Sequence, residues 1–193
     1  YLCFDGELYN RLKLNQKISR SMLTDSTLED VQLLDLLFSQ HKEKTFSLLN
    51  GNYHLIIYDK KMNHLFIAQN HYPSENIYFI QSKDSFMFSN NLKNMIQILG
   101  EVPPIEPTYL SKYLTYGFVA SPNTLLSGIK KIPLSSYLYY HDQKAHLCKY
   151  WDLSFPNDGL DIKPFNEYCF NFYDKIINSV QQRLNPKSQN GVF

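Results

Sequence analysis

At 193 residues the chain can build one good core, or one domain with part of a second. Its 19 basic and 18 acidic residues leave a net charge of +1 with no basic block, which argues against nucleic acid or an anionic membrane surface as a partner. No run approaches the roughly 18 apolar residues of a membrane span, no charged segment leading into an apolar core marks a signal peptide, and a cytoplasmic setting is expected.

Tyr1–Phe4 reads as a strand ending at the turn pair Asp5-Gly6. Residues 11–25 are polar and irregular, the pattern of a loop. Ser26-Thr27-Leu28-Glu29 has the capping-box spacing, and Val31, Leu34 and Phe38 keep helical period to about His41. A second short helix is expected near Glu43. Leu55–Tyr58 and Leu65–Ala68 flank Asp59–Asn63 as a hairpin, and Ile77–Gln81 and Ser85–Ser89 flank Lys83-Asp84 as another. Asn91–Leu99 reads as a short helix and Pro103–Pro107 as a stiff connector. Tyr109–Tyr116 reads as a helix closed by Gly117. Tyr137–Tyr140 and His146–Trp151 flank His141–Ala145 as a third hairpin.

Phe155–Pro164 has linker composition. Beyond it, Phe165, Cys169, Phe172, Ile176, Val180 and Leu184 follow the helical period until Asn185-Pro186. Gly191-Val192-Phe193 opens an apolar segment. The chain does not begin with Met, and both ends read as strands, so a piece of a longer protein is expected. The order supports an α+β domain with the opening of another.

Aromatic content is 15%, from 15 Tyr and 13 Phe with one Trp, and suits sheets with one wet face. Cys3, Cys148 and Cys169 are odd in number and far apart, which predicts reduced, buried thiols rather than a disulfide framework. The six histidines form no HxxxH or HExxH pair, so no metal site is expected. No GxGxxG or GxxxxGK[ST] cradle for phosphate occurs, and Asp158 and Asp161 read as solvated linker residues. Asp5-Gly6-Glu7 has two readings. It is a strand-ending turn, or a substrate-binding loop in which Gly aims backbone N–H groups at one point and a carboxylate beside it holds an ammonium group.

Several stretches in one order resemble the glutamine-hydrolysing asparagine synthetases, a class II glutamine amidotransferase family. Phe4-Asp5-Gly6-Glu7-Leu8-Tyr9-Asn10 is similar to F-N-G-E-I-Y-N. Leu48-Leu49-Asn50-Gly51 running into Leu55–Asp59, Leu65–Ala68, and Phe88–Lys93 (similar to F-S-S-E-L-K) follow. Tyr113–Leu125, Gly128–Pro133, Tyr150–Leu153 and Ser179–Leu184 complete a match over essentially the whole chain.

The resemblance implies an Ntn-hydrolase-type sandwich of two antiparallel sheets with helices on the outer faces. It assigns 1–155 to a glutaminase-like domain lacking its N-terminal part, 156–164 to a linker, and 165–193 to the first helix and strand of an ATP-dependent synthetase domain. It implies transfer of the glutamine amide nitrogen to aspartate, with glutamine, aspartate and ATP as partners, and allows a homodimer. ATP and Mg²⁺ belong to the synthetase domain, whose S-G-G-x-D-S loop would follow Phe193. The family's nucleophile is an N-terminal cysteine activated by its own amine; it would precede Tyr1, so no catalytic residue is expected within the chain. Cys3 does not replace it. Asp5, Gly6 and Glu7 are the expected glutamine-binding residues: Gly6 as a backbone oxyanion donor, Glu7 as a partner of the α-ammonium.

Three departures predict an impaired glutaminase. Asp5 replaces an Asn that donates to the oxyanion, and losing one such donor costs about 2.7–4 kcal/mol of barrier. The family's A-R-D-R-F-G-I-K-P-L-Y-Y reads here as Ala68-Gln69-Asn70-His71-Tyr72-Pro73-Ser74-Glu75-Asn76-Ile77-Tyr78-Phe79, without the arginines, the aspartate or the glycine. The S-D-x-E element falls on Leu28-Glu29-Asp30, placing Leu28 where an ammonium-binding Asp belongs, unless a shifted register lets Asp25 serve. These departures raise the alternative of a non-glutaminase scaffold domain of an asparagine-synthetase-like or β-lactam-synthetase-like ligase; a pure interaction module, its aromatic surface serving a partner, is a further one.

Overall fold

The computed structural model describes residues 1–18, 28–83, 85–155 and 164–184. The chain divides into two compact units, Tyr1–Asp152 and Leu153–Phe193. Of the second, the described part is α6, Phe165–Arg183, where the apolar spacing predicts a helix. The linker aspartates, the stop at Asn185-Pro186 and the segment at Gly191–Phe193 lie outside the described residues, as do Asp25 and Ser26. No helix among the described residues is long and apolar enough to cross a membrane.

The first unit is built on two antiparallel sheets. One is five-stranded, in the order β1 (Leu2–Leu8), β2 (Gly51–Asp59), β3 (His64–Gln69), β7 (Ser136–His141) and β8 (Lys144–Lys149). The other is three-stranded, with β4 (Tyr78–Gln81) between β5 (Phe86–Ser89) and β6 (Ile129–Lys131). Strand alternation gives the larger sheet two apolar faces. Leu8, Tyr53, Leu55, Ile57, Phe66 and Ala68 pack with Leu33, Leu34, Leu37 and Phe46 of α2 (Asp30–His41) and α3 (Lys44–Leu48). The alternate residues Ile67 and Leu138 meet Ile77, Phe79 and Ile132 from the smaller sheet's side. This layering of helices, sheet and sheet is the α+β architecture that the resemblance implies.

All three expected hairpins form. The third turns tightly on Asp142 and Gln143, both at positive φ (46° and 58°), the backbone signature of a two-residue hairpin turn. α2 starts with a capping box formed by Glu29 and Gln32, one helical turn later than Ser26 suggests. α4 (Leu92–Leu99) is capped by the Asn91 side chain. α5 (Pro107–Tyr116) ends on Gly117 in the left-handed conformation.

Three expectations need correction. Asp5-Gly6 does not end a strand: β1 runs through it to Leu8, in unbroken register with β2. Residues 11–15 are a helix, α1 (Arg11–Asn15), because Leu14 and Ile18 anchor the segment in the core. The cysteines are free thiols but not buried; Cys3 and Cys169 are exposed. Cys3 is exposed because β1 is an edge strand and position 3 alternates with the half-buried Leu2 and Phe4, which pack against the core.

Candidate functional site

Gly6 pairs with Tyr53 across β1 and β2 and has φ +131°, a conformation that side chains strongly disfavour. A Cβ there would lie 2.1 Å from the Asn52 carbonyl oxygen and 2.7 Å from the Tyr53 Cα. Gly51 is reciprocal: its Cβ would meet the Glu7 carbonyl oxygen at 2.2 Å. The two strands therefore approach so closely that each needs a glycine against the other's backbone. In β1 the glycine serves strand contact rather than a turn.

Asp5 projects from the face of the larger sheet opposite α2. Directly across from it stands His54, and across from His54 stands Gln69. Asp5, His54 and Gln69 thus form a row over three strands. Asp5 and Gly6 line a cleft of about 220 Å³ together with Asn52, Tyr53, His54, Ser74 and Glu75. Glu7 lies one step along the same face as Asp5, opposite Asn52, and is not among the lining residues.

Polar contacts fix the cleft wall. His54 Nε2 is 3.3 Å from the Glu75 carbonyl oxygen, and the Asn52 amide donates to Ser74 Oγ (3.4 Å). The Glu75 carboxylate accepts from the Asn90 amide (3.3 Å). The Asp5 carboxylate has no hydrogen-bond or ion-pair partner among the described residues, and no lysine or arginine lines the cleft among them.

Behind the cleft is a buried polar hub. Gln69 is fully buried; its Nε2 donates to the carbonyl oxygens of Ile132 (2.9 Å) and Pro133 (3.3 Å), and its Oε1 accepts from Ile77 N–H (3.4 Å). Asn70 Oδ1 accepts from Tyr53 N–H (3.3 Å), and Asn70 N–H donates to the Tyr53 carbonyl (3.2 Å). Gln69 and Asn70, which the sequence presents only as lost charges, are thus structural ties, one between the sheets and the other to the residue opposite Gly6. The Tyr150 hydroxyl donates to the Gln69 carbonyl (2.7 Å). Burial pushes Tyr150 up to about 12 and Tyr53 well above the ordinary phenol range. Burial among Tyr150 and Trp151 holds His71 below the usual histidine range.

The position at which the resemblance implies an ammonium-binding Asp has a different fate. Leu28 packs against the helical core, and its carbonyl accepts from Arg11. The same guanidinium pairs with Asp30. Asp30 therefore secures the start of α2, and no carboxylate stands at position 28.

Asn52 and His54 escaped the sequence reading. Their signal is present: two polar side chains, two residues apart, interrupt the buried-strand pattern of Gly51–Asp59 on the face that carries Asp5.

The sequence profile of the glutamine amidotransferase domain matches residues 1–151. The chain belongs to this family. It is 24% identical over 178 residues to asparagine synthetase [glutamine-hydrolyzing] 1 of Bacillus subtilis, covering 91% of this chain and 28% of the relative. It is 24% identical over 165 residues to the asparagine synthetase [glutamine-hydrolyzing] 2 assigned in Methanocaldococcus jannaschii, covering 84% of this chain and 31% of the relative. The chain thus spans about a third or less of the length of these relatives. Among solved structures, the glutamine phosphoribosylpyrophosphate amidotransferase of B. subtilis superposes with a TM-score of 0.53 at 14% identity, over 78% of this chain and 29% of that one. An allosteric regulatory enzyme of purine biosynthesis gives 0.54 at 14% identity, over 78% of this chain and 28% of its own. Both structures share the amidotransferase fold of the first unit.

Proposed function

We propose that this amidotransferase domain binds glutamine at the Asp5–Gly6 cleft, within an asparagine-synthetase-like ligase that moves amide nitrogen to aspartate, and that Asp5 slows glutamine hydrolysis. The observation that carries this reading is the placement of Asp5 and Gly6. The family motif puts an oxyanion donor pair at these two positions, and here both line one cleft, with Gly6 held at φ +131°. In this reading the Gly6 backbone N–H stabilises the tetrahedral oxyanion and Glu7, at the cleft's flank, receives the α-ammonium. An ionised Asp5 cannot donate and repels the developing charge; the missing donor alone costs about 2.7–4 kcal/mol of barrier.

The names of the relatives support the ligase assignment, as does the ordered match through Ser179–Leu184. On this reading residues 1–155 are the glutaminase-like part, 156–164 the linker and 165–193 the entry to the synthetase. ATP and Mg²⁺ serve that synthetase half and take no part in the glutamine chemistry. Three free thiols agree with a reducing, cytoplasmic setting.

A second reading is favoured by one specific observation. Gln69 and Asn70 have become structural ties, so the fold persists without the charged residues of the family pattern. The domain could then be a scaffold for a ligase that takes free ammonia. Glutamine hydrolysis and amide formation by the full-length protein separate the two. Hydrolysis that is abolished by replacing an N-terminal cysteine supports the first. Amide formation from ammonia alone, with no glutamine hydrolysis, supports the second.

A further inference from the structure

Resting on the glutaminase reading, we propose that His54 supplies to the cleft the N–H that Asp5 cannot. His54 is the direct cross-strand neighbour of Asp5 on the cleft face. Side chains so paired have Cβ atoms about 4.5–5.5 Å apart, so an imidazole reaches the space in front of the Asp5 carboxylate. The partner of Nε2 is the Glu75 carbonyl oxygen, an acceptor; Nε2 therefore carries a hydrogen, and Nδ1 is the ring's remaining nitrogen. It has no partner among the described residues.

That anchoring makes the donor conditional. In the neutral ring, with Nε2–H held by Glu75, Nδ1 only accepts. In the imidazolium, Nδ1–H donates to an oxyanion in the cleft and its charge offsets that of Asp5. The groups that face the ring are Asp5, Glu7 and the Cys3 thiol from β1, Glu75 from the segment between β3 and β4, and the uncharged Asn52 and Gln69 from β2 and β3. Gln69 cannot take the role, because its side chain is committed to Ile132, Pro133 and Ile77. Hydrolysis therefore requires the protonated ring and falls as the ring loses its proton.

The test is glutamine hydrolysis by the full-length protein, profiled against pH from about 5.5 to 8.5. The variants are His54→Ala, His54→Gln, Asp5→Asn and Asp5→Asn/His54→Ala. His54→Ala is expected to lower kcat by about 100-fold with little change in KM. His54→Gln, whose amide donates at every pH, is expected to keep the rate and lose the pH dependence. In the Asp5→Asn background, His54→Ala is expected to cost little. The inference is overturned if His54→Ala leaves rate and pH profile unchanged, or if it costs as much in the Asp5→Asn background as in the wild type with no rescue by Gln. An inactive wild type beside an active Asp5→Asn also overturns it. Inactivity of every variant, Asp5→Asn included, overturns the glutaminase reading itself.

Discussion

Gly6 and the carbonyl of Asn52 are so close across the edge of the larger sheet that a single methyl group at position 6 would sit 2.1 Å from that oxygen. The contact joins the Asp5-Gly6-Glu7 segment to the strand that carries His54. Gly6→Ala is expected to cost at least about 2 kcal/mol, from backbone strain and strand displacement together. Gly100→Ala is the control: φ is +77° there, but nothing lies within 4 Å of the added carbon, so only the left-handed penalty of about 1–2 kcal/mol applies. Urea unfolding of both variants checks the difference.

Gln69→Leu removes the amide while keeping much of the volume. The carbonyls of Ile132 and Pro133 and the N–H of Ile77 lose their partner. Each buried polar group left unpaired costs about 1–3 kcal/mol, so a loss of about 3 kcal/mol or more is expected, read from the shift of the denaturant midpoint. A change below about 1 kcal/mol would show that Gln69 does not tie the sheets.

Tyr150 ties alkaline pH to stability. Its phenol is raised from the ordinary value near 10 to about 12 in the folded state. A group raised on folding contributes stability that is complete below the unfolded value and lost as pH climbs through the folded one. Stability should therefore decline between about pH 10 and about 12. Tyr150→Phe should flatten part of that decline, while costing about 1 kcal/mol at neutral pH for the hydrogen bond to Gln69. Thermal unfolding against pH for both proteins reads this directly.

Arg11 braces the start of α2 through Asp30 and the Leu28 carbonyl. The pair is partly exposed, so Arg11→Ala should cost only about 1 kcal/mol. The loss should appear as faster amide exchange in the first turn of α2, with the strands unaffected.

Much of the layered fold was legible because hairpins and α2 have strong local signals: alternation bounded by turn residues, and apolar spacing behind a cap. What failed had non-local causes. Asp-Gly is the common chemistry of a turn, yet Gly6 is required by the backbone of Asn52, 46 residues on by their numbers; no local pattern carries that fact. Leu14 and Ile18 fold the polar stretch after β1 through burial, not propensity. At the candidate site, Asp5 and Gly6 were found through an ordered motif. His54 was not, since its meaning depends on which residue of β1 it faces.

The most direct measurement is the rate of glutamine hydrolysis by the full-length His54→Ala protein, which lacks the compensating donor, before and after Asp5→Asn. Restoring a neutral donor beside Gly6 should raise the rate by about 100-fold with the fold unchanged. An equal rate in both proteins, whether both are active or both inert, would contradict the assignment of Asp5 to the oxyanion position.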